Sequence, residues 1–209
     1  MTVAYSASES GTLALAFSEA KNWTGYWSDN SNGAHNGFYG HPDGYLSVSI
    51  NNTQEANYTI PDSKLRGGFR YLSLFVEGNG TQVDILDVTL ELAFQPAWSN
   101  LRAYGGYFYS NDDLINRIWY AGAYTLQTNS IPAGTGRRLE GTGWDNDEEL
   151  DLGTTDPTIY IDGSKRDRTV WAGDLAIAVP SILVSTGDSD GVKNTLQVLY
   201  NDQVSSLHT

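Results

Sequence analysis

The sequence predicts a β-sandwich followed by α-helical segments, with a boundary near residue 98. Three observations predict it. Apolar residues recur with a period of two through about the first hundred positions. Clusters of Asn, Gly and Asp separate those runs, which is the rhythm of antiparallel sandwiches. Beyond Ser110 the apolar spacing lengthens to that of a helix. Residues 1–98 therefore read as one domain and 99–209 as the opening part of a second, helical one.

Taken in order, Leu13, Leu15 and Phe17 alternate with small residues, and Tyr45 to Ile50 alternates likewise. Further on, Tyr71, Ser73 and Phe75 share one face of a strand and Leu72, Leu74 and Val76 the other. The run Leu86, Val88, Leu90, Leu92 and Phe94, spaced by Asp87, Thr89, Glu91 and Ala93, is the clearest half-buried strand. Asp29-Asn-Ser-Asn-Gly and Glu77-Gly-Asn-Gly supply turn chemistry, and Gln95-Pro-Ala-Trp ends the alternation. Leu114, Ile115, Ile118, Trp119, Gly122 and Leu126 then fall on one helical face. Ser110 stands where an N-cap hydroxyl belongs, Asp113 supplies the acid of a capping box, and Asp112 adds negative charge toward the helix dipole. Two more helices are expected, roughly Asp174 to Thr186, stopped at Gly187 and kinked by Pro180, and roughly Ser189 to Ser205 with Val192, Leu196, Leu199 and Val204 inward. The long stretch from Pro132 to Gly173 holds only a short β-like piece, Thr158-Ile-Tyr-Ile. Structureless stretches beyond ~12–15 residues are usually functional, so the chemistry is expected there.

Composition excludes several functions. Twelve Lys+Arg against twenty-five Asp+Glu give a net charge of -13, which argues against binding nucleic acid or an anionic membrane and points to neutral partners. The chain has no cysteine, so disulfides, thiolate zinc sites and thiol nucleophiles drop out. Its longest apolar stretch, Leu175 to Val184, is interrupted by Pro180 and Ser181 and falls short of the ~20 residues of a spanning helix. The opening residues from Met1 to Ser6 lack the basic start and apolar core of a secretory signal. Four glycosylation acceptors nevertheless occur, at Asn22, Asn51, Asn57 and Asn79. They fit either chance in an Asn- and Thr-rich chain or a secreted, extracellular parent.

Most catalytic patterns fail. There is no Gly-x-Ser-x-Gly elbow and no phosphate loop, and Gly134-Thr-Gly-Arg-Arg-Leu lacks the third glycine of a dinucleotide fingerprint. No cofactor is called for. His35, His41 and His208 are scattered, and the acidic run Asp145 to Asp151 lacks the spacing of a calcium loop, reading better as a solvated acidic surface. What remains is Asp162-Gly-Ser-Lys-Arg-Asp-Arg-Thr-Val-Trp-Ala-Gly-Asp174, which crowds carboxylates, cations and an indole into a loop-to-helix junction. Carboxylates accept hydrogen bonds from vicinal hydroxyls, arginine orients them, and an indole face covers the apolar face of a pyranose. The same residues also fit a surface salt-bridge cluster in which Asp174 caps its helix.

The motifs Asn111-Asp-Asp-Leu-Ile-Asn-Arg-Ile-Trp-Tyr-Ala-Gly-Ala-Tyr-Thr, Asp162 to Asp174, and Ala176-Ile-Ala-Val-Pro-Ser-Ile-Leu-Val-Ser-Thr-Gly-Asp, with Gly67-Gly-Phe-Arg-Tyr-Leu-Ser-Leu-Phe-Val and Leu101-Arg-Ala-Tyr before them, carry a resemblance. In this order they resemble the fungal-type α-L-rhamnosidases of glycoside hydrolase family 78, over roughly Gly67 to Thr209. The resemblance implies a β-sandwich leading into an (α/α)6 six-hairpin barrel and inverting hydrolysis of terminal L-rhamnose from a rhamnose-containing glycoside. It assigns Asp167 to the general-acid position, where many bacterial members carry glutamate, and Asp162, Arg166, Trp171 and Asp174 to the substrate. An inverting pair stands ~6.5–9.5 Å apart. The family's base is a later glutamate with no counterpart here, so an incomplete barrel is expected, with self-association through unpartnered apolar faces around Ile118, Ile182 and Leu196. The alternative from a different class is a non-catalytic carbohydrate-binding protein using Trp23, Trp27 and Tyr45 of the sandwich.

Overall fold

The computed structural model describes residues 1–29, 44–51, 53–78, 80–91, 104–136, 152, 157–164 and 168–206. These belong to two compact units, one within 1–91 and the other within 104–206.

The first unit is built from β1 (Thr2–Ala7), β2 (Gly11–Ser18), β3 (Leu46–Ile50), β4 (Thr53–Thr59), β5 (Tyr71–Glu77) and β6 (Val83–Thr89). They form two three-stranded antiparallel sheets, ordered β4-β1-β6 and β3-β2-β5. Both sheets contribute to a single core, in which Val3, Tyr5 and Ala7 of β1 meet Leu13, Leu15 and Phe17 of β2. The pairing sets this arrangement: Leu15 lies opposite Leu46 on one side and Leu74 on the other, so the three leucines point the same way. Phe69 packs edge-on against Phe17 at 4.9 Å between ring centroids. The turn from β5 to β6 uses Gly78 and Gly80 at φ 132° and 87°, a region that side chains with a Cβ rarely adopt.

The expected strand from Leu86 to Phe94 requires correction. β6 ends at Thr89, Leu92 and Phe94 lie outside the described residues, and Ile85, Leu86, Val88 and Leu90 are exposed. Among the described strands β6 has one partner, β1, and sits at the sheet edge, where alternation alone does not bring burial. β1 and β4 have no counterpart among the sequence expectations.

The second unit contains α1 (Asp113–Thr128), β7 (Ser130–Pro132), β8 (Thr158–Tyr160), α2 (Ala172–Val184) and α3 (Ser189–Ser206). The expected β-like piece at Thr158 is β8, and its antiparallel partner β7 was not foreseen. Their core joins Ile131, Ile159 and Ile161 to Val170, Leu175 and Ile182 and to Val192 and Val198 of α3. The chain is thus a β-rich region followed by helices.

The ends and faces of these helices differ from expectation in instructive ways. The N-cap of α1 is Asp112, whose carboxylate accepts from the N–H groups of Leu114 (2.9 Å) and Ile115 (3.4 Å). Ser110 is instead held by Asn116, which donates to its carbonyl and accepts from its N–H at 2.7 Å. The inward stripe of α1 runs through Asn116, Tyr120, Ala123 and Gln127, so Leu114, Ile115 and Ile118 of the expected apolar face stand in solvent. In α3, Val192, Thr195 and Val198 are buried, Leu199 is half-buried and Leu196 is exposed, while the side chain of Val204 lies outside the described residues. Ile182, expected to lack neighbours, is fully buried. Pro180 lies inside α2 on an exposed position, where its missing N–H frees the carbonyl one turn earlier. Gly187, at φ 74°, closes the helix by donating to the Ile182 carbonyl at 2.9 Å. Just past the end of α2, the carbonyls of Ser185 and Thr186 are taken by another segment: Gly105 and Gly106 donate to Thr186 and Ser185 at 3.2 and 2.6 Å.

Candidate functional site

β8 delivers the chain into the 162–174 motif. Directly after it, the Asp162 N–H donates to the Thr169 carbonyl at 3.0 Å, and the Thr169 N–H donates back to Asp162 Oδ1 at 3.2 Å. This reciprocal pair closes the intervening loop at its base. Asp162 is half-buried there, and one of its carboxylate oxygens serves the backbone.

Arg168 is the second fixed point. It is buried at φ 52°, a left-handed conformation uncommon outside glycine, and its guanidinium reaches Ser164 O at 2.9 Å and Thr135 O and Oγ1 at 3.1 and 3.2 Å. Those oxygens offset the cost of removing the cation from water. Thr135 ends the short turn that follows β7, so Arg168 ties the loop to the β7-β8 ribbon. Sequence reasoning left this arginine without a role. Its partner lies more than thirty positions away, and no local pattern announces the contact.

Beyond the buried Val170, Trp171 is 38% exposed and occupies the N-cap position of α2. The Trp171 side chain makes no capping hydrogen bond, and Asp174 is not the N-cap; it is exposed in the first turn, where the helix dipole favours a carboxylate. The structure thus ties Asp162 to Thr169 and sets Trp171 and Asp174 on the surface at the start of one helix. Arg166 and Asp167 lie outside the described residues.

A polar group that the sequence did not single out lies behind this loop. The Tyr160 hydroxyl donates to Asp188 Oδ2 at 3.1 Å, while Asp188 Oδ1 accepts from the Gly191 N–H at 2.9 Å and so caps α3. Burial first, and then the Asp188 carboxylate, push the Tyr160 phenol well above its ordinary range, opposed by a hydrogen bond with Thr186. A Cβ at Gly191 would overlap both the Asp188 carboxylate and the Tyr160 ring. The residues Gly187-Asp-Ser-Asp-Gly carry the helix-start signal, but the tyrosine they meet is remote in sequence.

His35, His41, His208 and the acidic run 145–151 lie outside the described residues. Among the described residues no group of three or more His, Asp or Glu is placed to hold a metal ion, and no helix is long and apolar enough to cross a membrane. Of the glycosylation acceptors, Asn22, Asn51 and Asn57 are exposed and Asn79 lies outside the described residues. No protein-family model and no curated protein sequence matches the chain.

Proposed function

We propose that this chain carries the acid side of an α-L-rhamnosidase-like glycoside-hydrolase site that inverts the anomeric carbon of a terminal L-rhamnose. Asp167 donates the proton to the departing glycosidic oxygen, Asp162 and Asp174 accept sugar hydroxyls, Arg166 orients them, and Trp171 covers the apolar face of the ring. The reading rests on the 162–174 motif in its three-motif context. The observation that supports it is the doubly fixed loop: the Asp162–Thr169 pair and the buried Arg168 hold both ends of the segment, with Trp171 accessible just beyond it. Anchored positions such as Asp162 suit a sugar subsite, because flexible side chains would lose binding free energy on being immobilised. The six-hairpin barrel belongs to the same proposal, as does self-association through the exposed Ile118, Ile177 and Leu196. An extracellular parent accords with the exposed acceptors at Asn22, Asn51 and Asn57. No cofactor is required.

The test combines binding and turnover. Calorimetric titration with L-rhamnose is expected to give saturable heat that Trp171→Ala and Asp174→Asn abolish. Wherever release from an aryl α-L-rhamnoside is measurable, Asp167→Asn is expected to lower the rate by about 10²–10⁴-fold. Absence of rhamnose binding, or variants indistinguishable from the parent, would overturn the assignment.

A further inference from the structure

A second surface, in the β unit, has the makings of a binding site independent of the 162–174 motif. In the register of the β3-β2-β5 sheet, Leu13 and Leu15 face the core, so Thr12 and Ala14 and their partners Glu77 and Phe75 face the other way. Alanine beside Phe75 leaves room above the sheet, and rings fill it. Tyr26 meets Phe75 edge-on at 4.8 Å, Tyr45 meets Phe75 at 5.2 Å, and Trp27 meets Tyr45 at 6.2 Å. These edge-to-face contacts fix the orientation of each ring. Yet Trp23, Tyr26 and Trp27 remain 74%, 67% and 62% exposed, although they stand within five residues of one another. At the rim the Tyr45 hydroxyl donates to Glu77 Oε1 at 2.6 Å, which holds the carboxylate in place and leaves it further lone pairs.

We propose that Tyr26, packed on Phe75, and Trp27, packed on Tyr45, together with the exposed Trp23 and the Tyr45–Glu77 pair at the rim, form a binding site for neutral saccharides. Fixed, exposed aromatic faces match the apolar faces of pyranose rings, and the adjoining carboxylate matches vicinal hydroxyls. The net charge of -13 disfavours anionic ligands. Size separates a saccharide from a protein partner. An aromatic side chain buries about 150–250 Å², so three partly exposed rings offer roughly 500 Å², below the ~800 Å² each partner contributes to a stable protein interface.

The experiment uses the full chain produced without glycosylation, because the Asn22 acceptor adjoins Trp23. Cellohexaose and xylohexaose are titrated by calorimetry and tryptophan fluorescence, with a galacturonate hexamer as the anionic comparison. Expected are saturable binding of a neutral hexamer, at least tenfold weakening in Trp27→Ala, partial recovery in Trp27→Phe, and a smaller loss in Tyr45→Phe, which keeps the ring and removes the hold on Glu77. Asp174→Asn, directed at rhamnose binding, leaves this titration as in the parent, so the two sugar assignments fail separately. The proposal is overturned if neither neutral hexamer binds, if Trp27→Ala and Tyr26→Ala bind like the parent, or if the galacturonate hexamer binds as tightly as the neutral ones.

Discussion

β2 and the helices differ in how far apolar periodicity becomes burial. In the β unit, β2 buries both of its faces, with Leu13, Leu15 and Phe17 turned to the shared core and Ala14 and Ala16 also buried on the other side. In the helical unit the buried positions include Thr195 and Gln127, while Ile118, Ile177, Val184 and Tyr200 stand in solvent. A strand in mid-sheet is flanked by hydrogen-bonded neighbours and faced by a second layer, so alternation translates into burial. A helix presents its apolar stripe to whatever packs beside it, and α1 offers its neighbours only one sector of its circumference. Apolar periodicity therefore specifies which residues can share a face, and the surrounding elements decide whether that face is covered.

Substitutions that trade on this contrast sharpen it. Phe17→Ala removes a fully buried ring from the β core and is expected to cost about 3–5 kcal/mol, whereas Ile118→Ala, exposed on α1, is expected to change stability by less than about 0.5 kcal/mol; chemical denaturation followed by tryptophan fluorescence checks both. Equal costs would refute the assignment of the α1 surface. Gly106→Ala brings a methyl group onto the Val184 carbonyl and is expected to cost about 1–3 kcal/mol, read as loss of helical circular dichroism at lower denaturant.

Alkali probes the helical unit through Tyr160. Its folded pKa is raised, so the neutral phenol stabilises the fold below the unfolded value of about 10, and that contribution is lost as pH rises above it toward the folded pKa. Titrating phenolate absorbance is expected to show a late phase that Tyr160→Phe removes, and Asp188→Asn is expected to bring that phase earlier by removing a carboxylate that disfavours the phenolate. At the α1 cap, Asp112→Ala is expected to cost about 1 kcal/mol, and Ser110→Ala less, because Asp112 rather than Ser110 serves the first N–H groups of the helix.

Much of the β unit was legible because its strands carry their signal locally. Leu72, Leu74 and Val76 separate from Ser73 and Phe75 in the sequence, and the sheet turns Leu72 and Leu74 to the core and Phe75 away from it. β1 is not legible in the sequence because Thr2 to Ala7 alternates residues of modest apolar contrast, and its burial follows from lying between β4 and β6. The N-cap of α1 lies two residues beyond the expected Ser110 because Ser110, Asp112 and Asp113 all belong to the capping residues or their acidic companions; backbone geometry selects Asp112. For the candidate site, the residue types between Asp162 and Asp174 were readable. The closure at Thr169 and the anchoring of Arg168 on Thr135 were not, since both depend on how β7 and β8 pair.

The sequence by itself determined the change from a period of two to a helical period, the helix stop at Gly187, the strand at Thr158 and the chemical crowding of 162–174. These are short-range consequences of backbone stereochemistry and side-chain spacing, complete within a few residues. Only the tertiary structure decided that β6 lies at an edge among the described strands, that the inward face of α1 centres on Ala123 and Gln127, that Arg168 is a buried strut, and that Tyr26 and Tyr45 pack on Phe75 with Trp27 against Tyr45. Those outcomes depend on contacts between segments distant in sequence, which fix burial and partner choice only once the chain has folded.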